Sequence, residues 1–140
     1  MREIDESGFF DAVWYKSVHR DVALDDADPL SHFTTYGYRE GRWPSVLFDT
    51  GHYLNQRSDL LLGRDNLALH FLRAGWREGV NPNSYFDTAW FVARYRQMLG
   101  DTNPLSFYAK DRSYRLAPSR RFDAPAYARR YSTIVSADAE

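Results

Sequence analysis

The chain has 140 residues, a formal net charge of −1, no cysteine, and apolar and charged fractions of 44% and 26%. That length suits one domain burying about two thirds of the surface its unfolded form exposes, and the missing thiols exclude disulfides and cysteine-ligated metal centres. The sequence has no run of ~20 apolar residues and no basic stretch leading into an apolar one after Met1, so it predicts no membrane span, no signal peptide and a cytoplasmic location.

Aromatic residues make up 16% of the chain, as 10 Tyr, 9 Phe and 4 Trp, so the core must be built largely from rings. Their order is periodic. Phe-Asp occurs at Phe10-Asp11, Phe48-Asp49, Phe86-Asp87 and Phe122-Asp123, at separations of 38, 38 and 36 residues. A fixed period of this length predicts an all-α fold of tandem helical pairs, α-solenoid-like, with about three and a half units of ~38 residues in a single domain spanning 1–140. The unit boundaries fall near 9–46, 47–84 and 85–120, with a partial unit at 121–135.

In chain order, each unit opens on an Asp that can cap a first helix, at Asp11, Asp49, Asp87 and Asp123. The preceding Phe and the residue five further on then occupy the two positions of a hydrophobic staple: Phe10/Tyr15, Phe48/Tyr53, Phe86/Phe91 and Phe122/Tyr127. Trp14, His52 and Trp90 share a further slot, which suggests a semi-buried ring position. This helix is expected to run about eight to ten residues. A second helix of similar length starts at Asp28-Pro29 and Asn103-Pro104, where a capping side chain precedes a proline suited to the first turn, and Asn66-Leu67-Ala68 falls at the matching place in the second unit. Gly37 and Gly75 are placed as left-handed residues ending it, with Pro44 and Pro82 beyond. The third unit closes differently, as Arg-Ser-Tyr-Arg-Leu-Ala-Pro over 112–118. Helices this short are unstable alone, so stacking of units is expected to supply the core.

Candidate chemistry is sparse. His32 and His70 fall in equivalent slots, occupied by Phe107 in the third unit, and a packing role with the imidazole meeting a backbone carbonyl is favoured over a metal site. Arg39-Glu40 and Arg77-Glu78 could be read as carboxylates with cationic helpers, but lying beside glycines they are expected to bridge to a neighbouring unit or face solvent. No nucleophile elbow, phosphate loop or metalloprotease motif is present, so the reading names no catalytic residue, no metal and no cofactor, and the chain is not expected to be an enzyme by itself.

Charge is uneven: residues 1–65 carry 12 acidic and 7 basic side chains, and residues 66–140 carry 7 and 11. Lys110, Arg112, Arg115, Arg120, Arg121, Arg129 and Arg130 concentrate at one end and are the candidate partner-binding residues. They suit an acidic protein surface, another copy of the chain or an anionic glycan, whereas the slightly acidic total disfavours nucleic acid. The residues assigned to the repeat framework are Phe10, Asp11, Trp14, Phe48, Asp49, Phe86, Asp87, Trp90, Phe122 and Asp123.

The pattern Phe-Asp-x-x-Trp-Tyr, then Asp-Pro-Leu-x-His-Phe, then Gly-Tyr-Arg-Glu-Gly-Arg-x-Pro resembles a repeat found in large bacterial proteins beside glycosyltransferase domains of cell-surface polysaccharide synthesis. The likeness covers residues 9–131, is strongest in the first unit and fades after Asn103-Pro104-Leu105. It implies a binding or scaffolding module accessory to a surface-glycan system, with no catalytic residue to carry over. A carbohydrate-binding module is the alternative, and a binder of nucleic acid or another acidic partner through the arginine-rich end is a third.

Overall fold

The computed structural model describes residues 2–111 and 116–122, and these are helical. The α-helices are α1 (Arg2–Ser7), α2 (Ala12–Val18), α3 (Arg20–Leu24), α4 (Pro29–Thr35), α5 (Thr50–Gln56), α6 (Leu67–Arg73), α7 (Thr88–Arg94), α8 (Arg96–Leu99) and α9 (Pro104–Lys110). Short 3-10 turns occupy Gly37–Glu40, Gly75–Glu78 and Arg120–Phe122. No strand forms among the described residues, which show only an isolated bridge between Ser45 and Phe48. Nor is any helix among them long and apolar enough to cross a membrane.

The expected helix starts are present wherever the structure describes them. The Asp11, Asp49 and Asp87 carboxylates accept from the backbone N–H of Trp14, His52 and Trp90. Asp28, Asn66 and Asn103 cap α4, α6 and α9 in the same way, with Pro29 and Pro104 in the first turn. Each cap satisfies an otherwise orphaned donor, worth about 1 kcal/mol. The staple rings meet at centroid separations of 5.5 Å for Phe10–Tyr15, 5.2 Å for Phe48–Tyr53 and 4.8 Å for Phe86–Phe91. The fourth helix start, at Asp123, and its staple partner Tyr127 lie outside the described residues.

Two expectations about these helices need correcting. Both helices of each period are seven residues long, shorter than expected, and the first ends where the backbone leaves helical dihedrals at His19 (φ −112°, ψ 86°), Arg57 (φ −131°, ψ 89°) and Tyr95 (φ −117°, ψ 27°). Gly37 and Gly75 are not left-handed. They open the 3-10 turns, and the left-handed residues are Gly41 (φ 77°) and Gly79 (φ 76°), four positions later.

Each period closes on itself. The backbone N–H of Asp11 donates to the Pro44 carbonyl at 3.1 Å, Asp49 to Pro82 at 2.8 Å and Asp87 to Pro118 at 2.9 Å. The third period therefore ends on the same bond as the other two, although its intervening sequence has diverged. Rings cluster within each period as Phe10/Tyr15/Phe33, Phe48/Tyr53/Phe71 and Phe86/Phe91/Tyr108. Each period thus buries rings of its own, more than stacking alone would require, and the buried residues merge into one continuous core.

Phe9 crosses between periods, with ring centroids 6.3 Å from those of both Phe48 and Phe71. It follows α1, which the sequence did not reveal. α1 packs on α6 with Ile4 fully buried, and its ends are held by an Arg73–Glu3 ion pair and by the Lys110 ammonium donating to the Glu6 carbonyl at 2.7 Å.

Candidate functional site

A group of interacting ionisable side chains sits where the first helix of a period meets the following 3-10 turn, and it occurs twice among the described residues. In the first period the buried Tyr15 hydroxyl is hydrogen-bonded to His32 Nδ1 at 2.8 Å, and in the second Tyr53 is bonded to His70 Nδ1 at 2.6 Å. The histidines therefore meet a phenol, not the backbone carbonyl expected from the sequence. Burial pushes Tyr15 up to about 12 and raises Tyr53 further, so both stay protonated across the physiological range.

Gly37 and Gly75 belong to the same arrangement. A Cβ on either would overlap the hydroxyl of Tyr15 or Tyr53, so these positions are glycine because a phenol is packed against the backbone. The third period tests this reading. Its corresponding residues are Phe91, Phe107 and Arg112. Hydroxyl, imidazole and glycine are lost together, as expected if each is there for the others.

Around each tyrosine lies an ionic cluster. In the first period the Arg42 guanidinium takes Asp21 as a fork, at 2.9 and 2.8 Å, and Glu40 at 3.1 Å. In the second, Arg57 takes Asp59 as a fork, at 2.9 and 2.8 Å, and also pairs with Glu78. The carboxylates are equivalent: Asp21 and Asp59 lie 11 residues after their Phe-Asp phenylalanine, and Glu40 and Glu78 lie 30 after it. The arginines are not, for Arg42 comes 32 residues after that phenylalanine and Arg57 nine after. His19 stands in the first period where Arg57 stands in the second, and Val80 replaces Arg42. The arginine fork holds both Asp21 and Asp59 down to about 2. His19 is pushed below its usual value, first by burial and then by the nearby Arg42 charge.

Of the two expectations for the Arg-Glu pairs, the solvent-facing one holds, since Arg39, Glu40, Arg77 and Glu78 are all exposed. Glu40 and Glu78 bind an arginine of their own period and do not bridge to a neighbour. Their sequence neighbours Arg39 and Arg77 instead lie over the rings of Tyr38 and Trp76, at 5.5 and 4.5 Å from the centroids. In the third period, the position of His19 and Arg57 is filled by Tyr95, whose hydroxyl accepts from the Ala117 N–H at 2.9 Å.

Of the basic-end candidates, Lys110 is committed to α1, its stem lying across Gly8. Arg120 and Arg121 are exposed, and the Arg121 guanidinium lies 6.0 Å from the Phe122 ring centre. Arg112, Arg115, Arg129 and Arg130 lie outside the described residues. The described part of the basic end is therefore three cations with three different surroundings. Among the framework rings, Phe48 and Phe86 are buried, while Phe10, Trp14, Trp90 and Phe122 are half-buried.

Sequence reasoning missed the two arginine clusters because in each of them one carboxylate lies 21 residues from the arginine, and because the cation changes place between periods. The usable signal was the recurrence of an acidic residue 11 and 30 positions after Phe-Asp. Among the described residues no group of three or more His, Asp or Glu side chains is arranged to hold a metal ion. No protein family, no curated protein and no solved structure matches the chain.

Proposed function

We propose that the chain is a non-catalytic module of tandem helical pairs, stacked as an α-solenoid, that binds or positions a partner beside an enzyme of surface-glycan synthesis. The repeated Asp-to-Pro closure and the matching caps support the tandem arrangement. The association with glycan synthesis rests on the resemblance of the Phe-Asp-x-x-Trp-Tyr and Gly-Tyr-Arg-Glu-Gly-Arg segments.

One observation carries the non-catalytic reading. The Tyr, His, Asp, Glu and Arg set has the ingredients of an active site, but the arginine enters from a different position in each copy while the charge pairing persists. Reacting groups cannot be relocated in this way, since a shift of about 1 Å can cost 100-fold in rate. An ion pair that only closes a fold tolerates the exchange. Both tyrosines and all four carboxylates are also paired with protein groups.

Cross-linking the protein in its native host, followed by peptide mass spectrometry, tests the proposal. It should recover peptides from a glycosyl-transferring enzyme. Turnover of a nucleotide sugar by the purified chain, abolished by Glu40→Gln or Glu78→Gln with the fold intact, would overturn it.

A further inference from the structure

We propose that the joint between α2 and α3 is an acid-operated latch: a proton taken up at His19 opens the Gly37–Glu40 turn of the first period and leaves the matching turn of the second closed. This regulation goes beyond the binding-module reading and does not depend on which partner is bound. One position decides it, nine residues after each Phe-Asp phenylalanine, where the first helix of the period ends. That position holds His19, Arg57 and Tyr95 in turn. Of these three side-chain types, only histidine ordinarily changes charge between pH 5 and 8.

The first joint favours the neutral imidazole. His19 Nε2 is buried with no hydrogen-bond partner among the described residues, and the ring's other nitrogen is bonded to the Trp43 backbone. A protonated imidazole carries an N–H on both nitrogens, so the charged ring holds a buried donor against no acceptor, which is costly. This is true for either tautomer of the neutral ring. The ring packs on Tyr15 with centroids 4.3 Å apart, so a ring that moves to bring Nε2 to water gives up that contact.

The surrounding charges set the direction of the response. The groups facing the His19 and His32 imidazoles are Tyr15 on α2, Asp21 on α3, Tyr36 at the end of α4, and Glu40 and Arg42 at the turn. Arg42 is the clamp: it forks Asp21, pairs with Glu40, and its backbone N–H donates to the Gly37 carbonyl at 3.0 Å. A cation at His19 is a second positive charge beside this guanidinium, with both carboxylates already paired. Burial, then Arg42, hold the His19 imidazole below its usual value against a smaller pull from Asp21. By linkage, the first turn is at full strength above about pH 6.5 and weakens as pH falls below it.

In the second period the clamp is the joint residue itself, since Arg57 takes Asp59 and Glu78, and Val80 stands in place of Arg42. Charge at the joint therefore closes the second turn and opens the first. The Tyr15–His32 and Tyr53–His70 bonds are common to both periods and do not create this contrast. His70 faces Asp59 and Asp65, so a proton there meets carboxylates.

The test is amide hydrogen exchange by NMR on the full chain, corrected for intrinsic exchange, at about pH 7.5 and about pH 5, either side of the ordinary imidazole value. The reporters are the hydrogen-bonded amides of Arg39, Gly41 and Arg42 in the first turn and of Arg77, Gly79 and Val80 in the second. Protection of the first set should fall about tenfold relative to the second on acidification. This comparison needs no variant. His19→Gln should remove the difference, and so should His19→Arg combined with Arg42→Val, which installs the second period's arrangement in the first. Equal loss of protection in both turns, no loss in either, or a difference that survives His19→Gln would overturn the proposal.

Discussion

The first two periods and the third solve the same packing problem with different chemistry. Residues 9–84 hold each 3-10 turn against the first helix with a phenol, an imidazole and a bare glycine backbone, ringed by an arginine and two carboxylates. The third period has Phe91 and Phe107 at the corresponding positions, and the Tyr95 hydroxyl holds the Ala117 N–H. All three nevertheless end on the same Asp-to-Pro backbone bond. The closure is therefore the fixed element, and the polar network under the turn is an exchangeable means of reaching it. Substitutions can break this contrast or sharpen it.

The largest effect is expected at Phe48, fully buried between Phe9, Tyr53 and Phe71. Phe48→Ala should cost about 3–5 kcal/mol, read as a drop in melting temperature of roughly 4 °C per kcal/mol. Trp90 shares the framework role by sequence, but it is half-buried, so Trp90→Ala should cost only about 1–2 kcal/mol. Equal losses would mean the two rings are packed alike.

Next comes Gly75→Ala, whose Cβ would overlap the Tyr53 hydroxyl. A loss of about 3 kcal/mol is expected. Adding Tyr53→Phe should restore much of it, since this double change moves the second period toward the third. If the pair of changes is merely additive in a double-mutant cycle, glycine and phenol are not coupled as described.

The pH dependence should divide along the same line. Asp21 and Asp59 have folded values near 2, below the unfolded value of about 3.9. Their contribution is therefore present above about pH 4 and is lost as pH falls toward 2. Arg42→Gln and Arg57→Gln should flatten this acid limb in urea titrations. His19, depressed by burial, destabilises the fold as pH falls below its ordinary value of about 6.5, because the unfolded chain then binds the proton more readily. A His19→Gln variant should lose that component alone. Smallest of all, Arg120→Gln with Arg121→Gln should shift stability by less than about 0.5 kcal/mol, since both side chains are exposed. A larger loss in chemical denaturation would assign them a structural role.

The sequence by itself determined what is local. The helix starts at Asp11, Asp49, Asp87, Asp28, Asn66 and Asn103 were legible because a cap acts over three residues. The staple rings were legible because they span five. The period was legible because it repeats. Tertiary structure decided what depends on groups far apart in the chain. It placed α1, one buried Ile4 in a polar hexapeptide, on α6 through Glu3 and Arg73, 70 residues apart. It also showed why Gly37 and Gly75 are glycines: the constraint comes from a hydroxyl 22 residues earlier, not from their own dihedrals. And it paired Asp21 with Arg42 and Glu78 with Arg57, each across 21 residues, although the two arginines hold no common place in the period, because an ion pair requires charge at a point in space, and the chain can deliver that charge from more than one position.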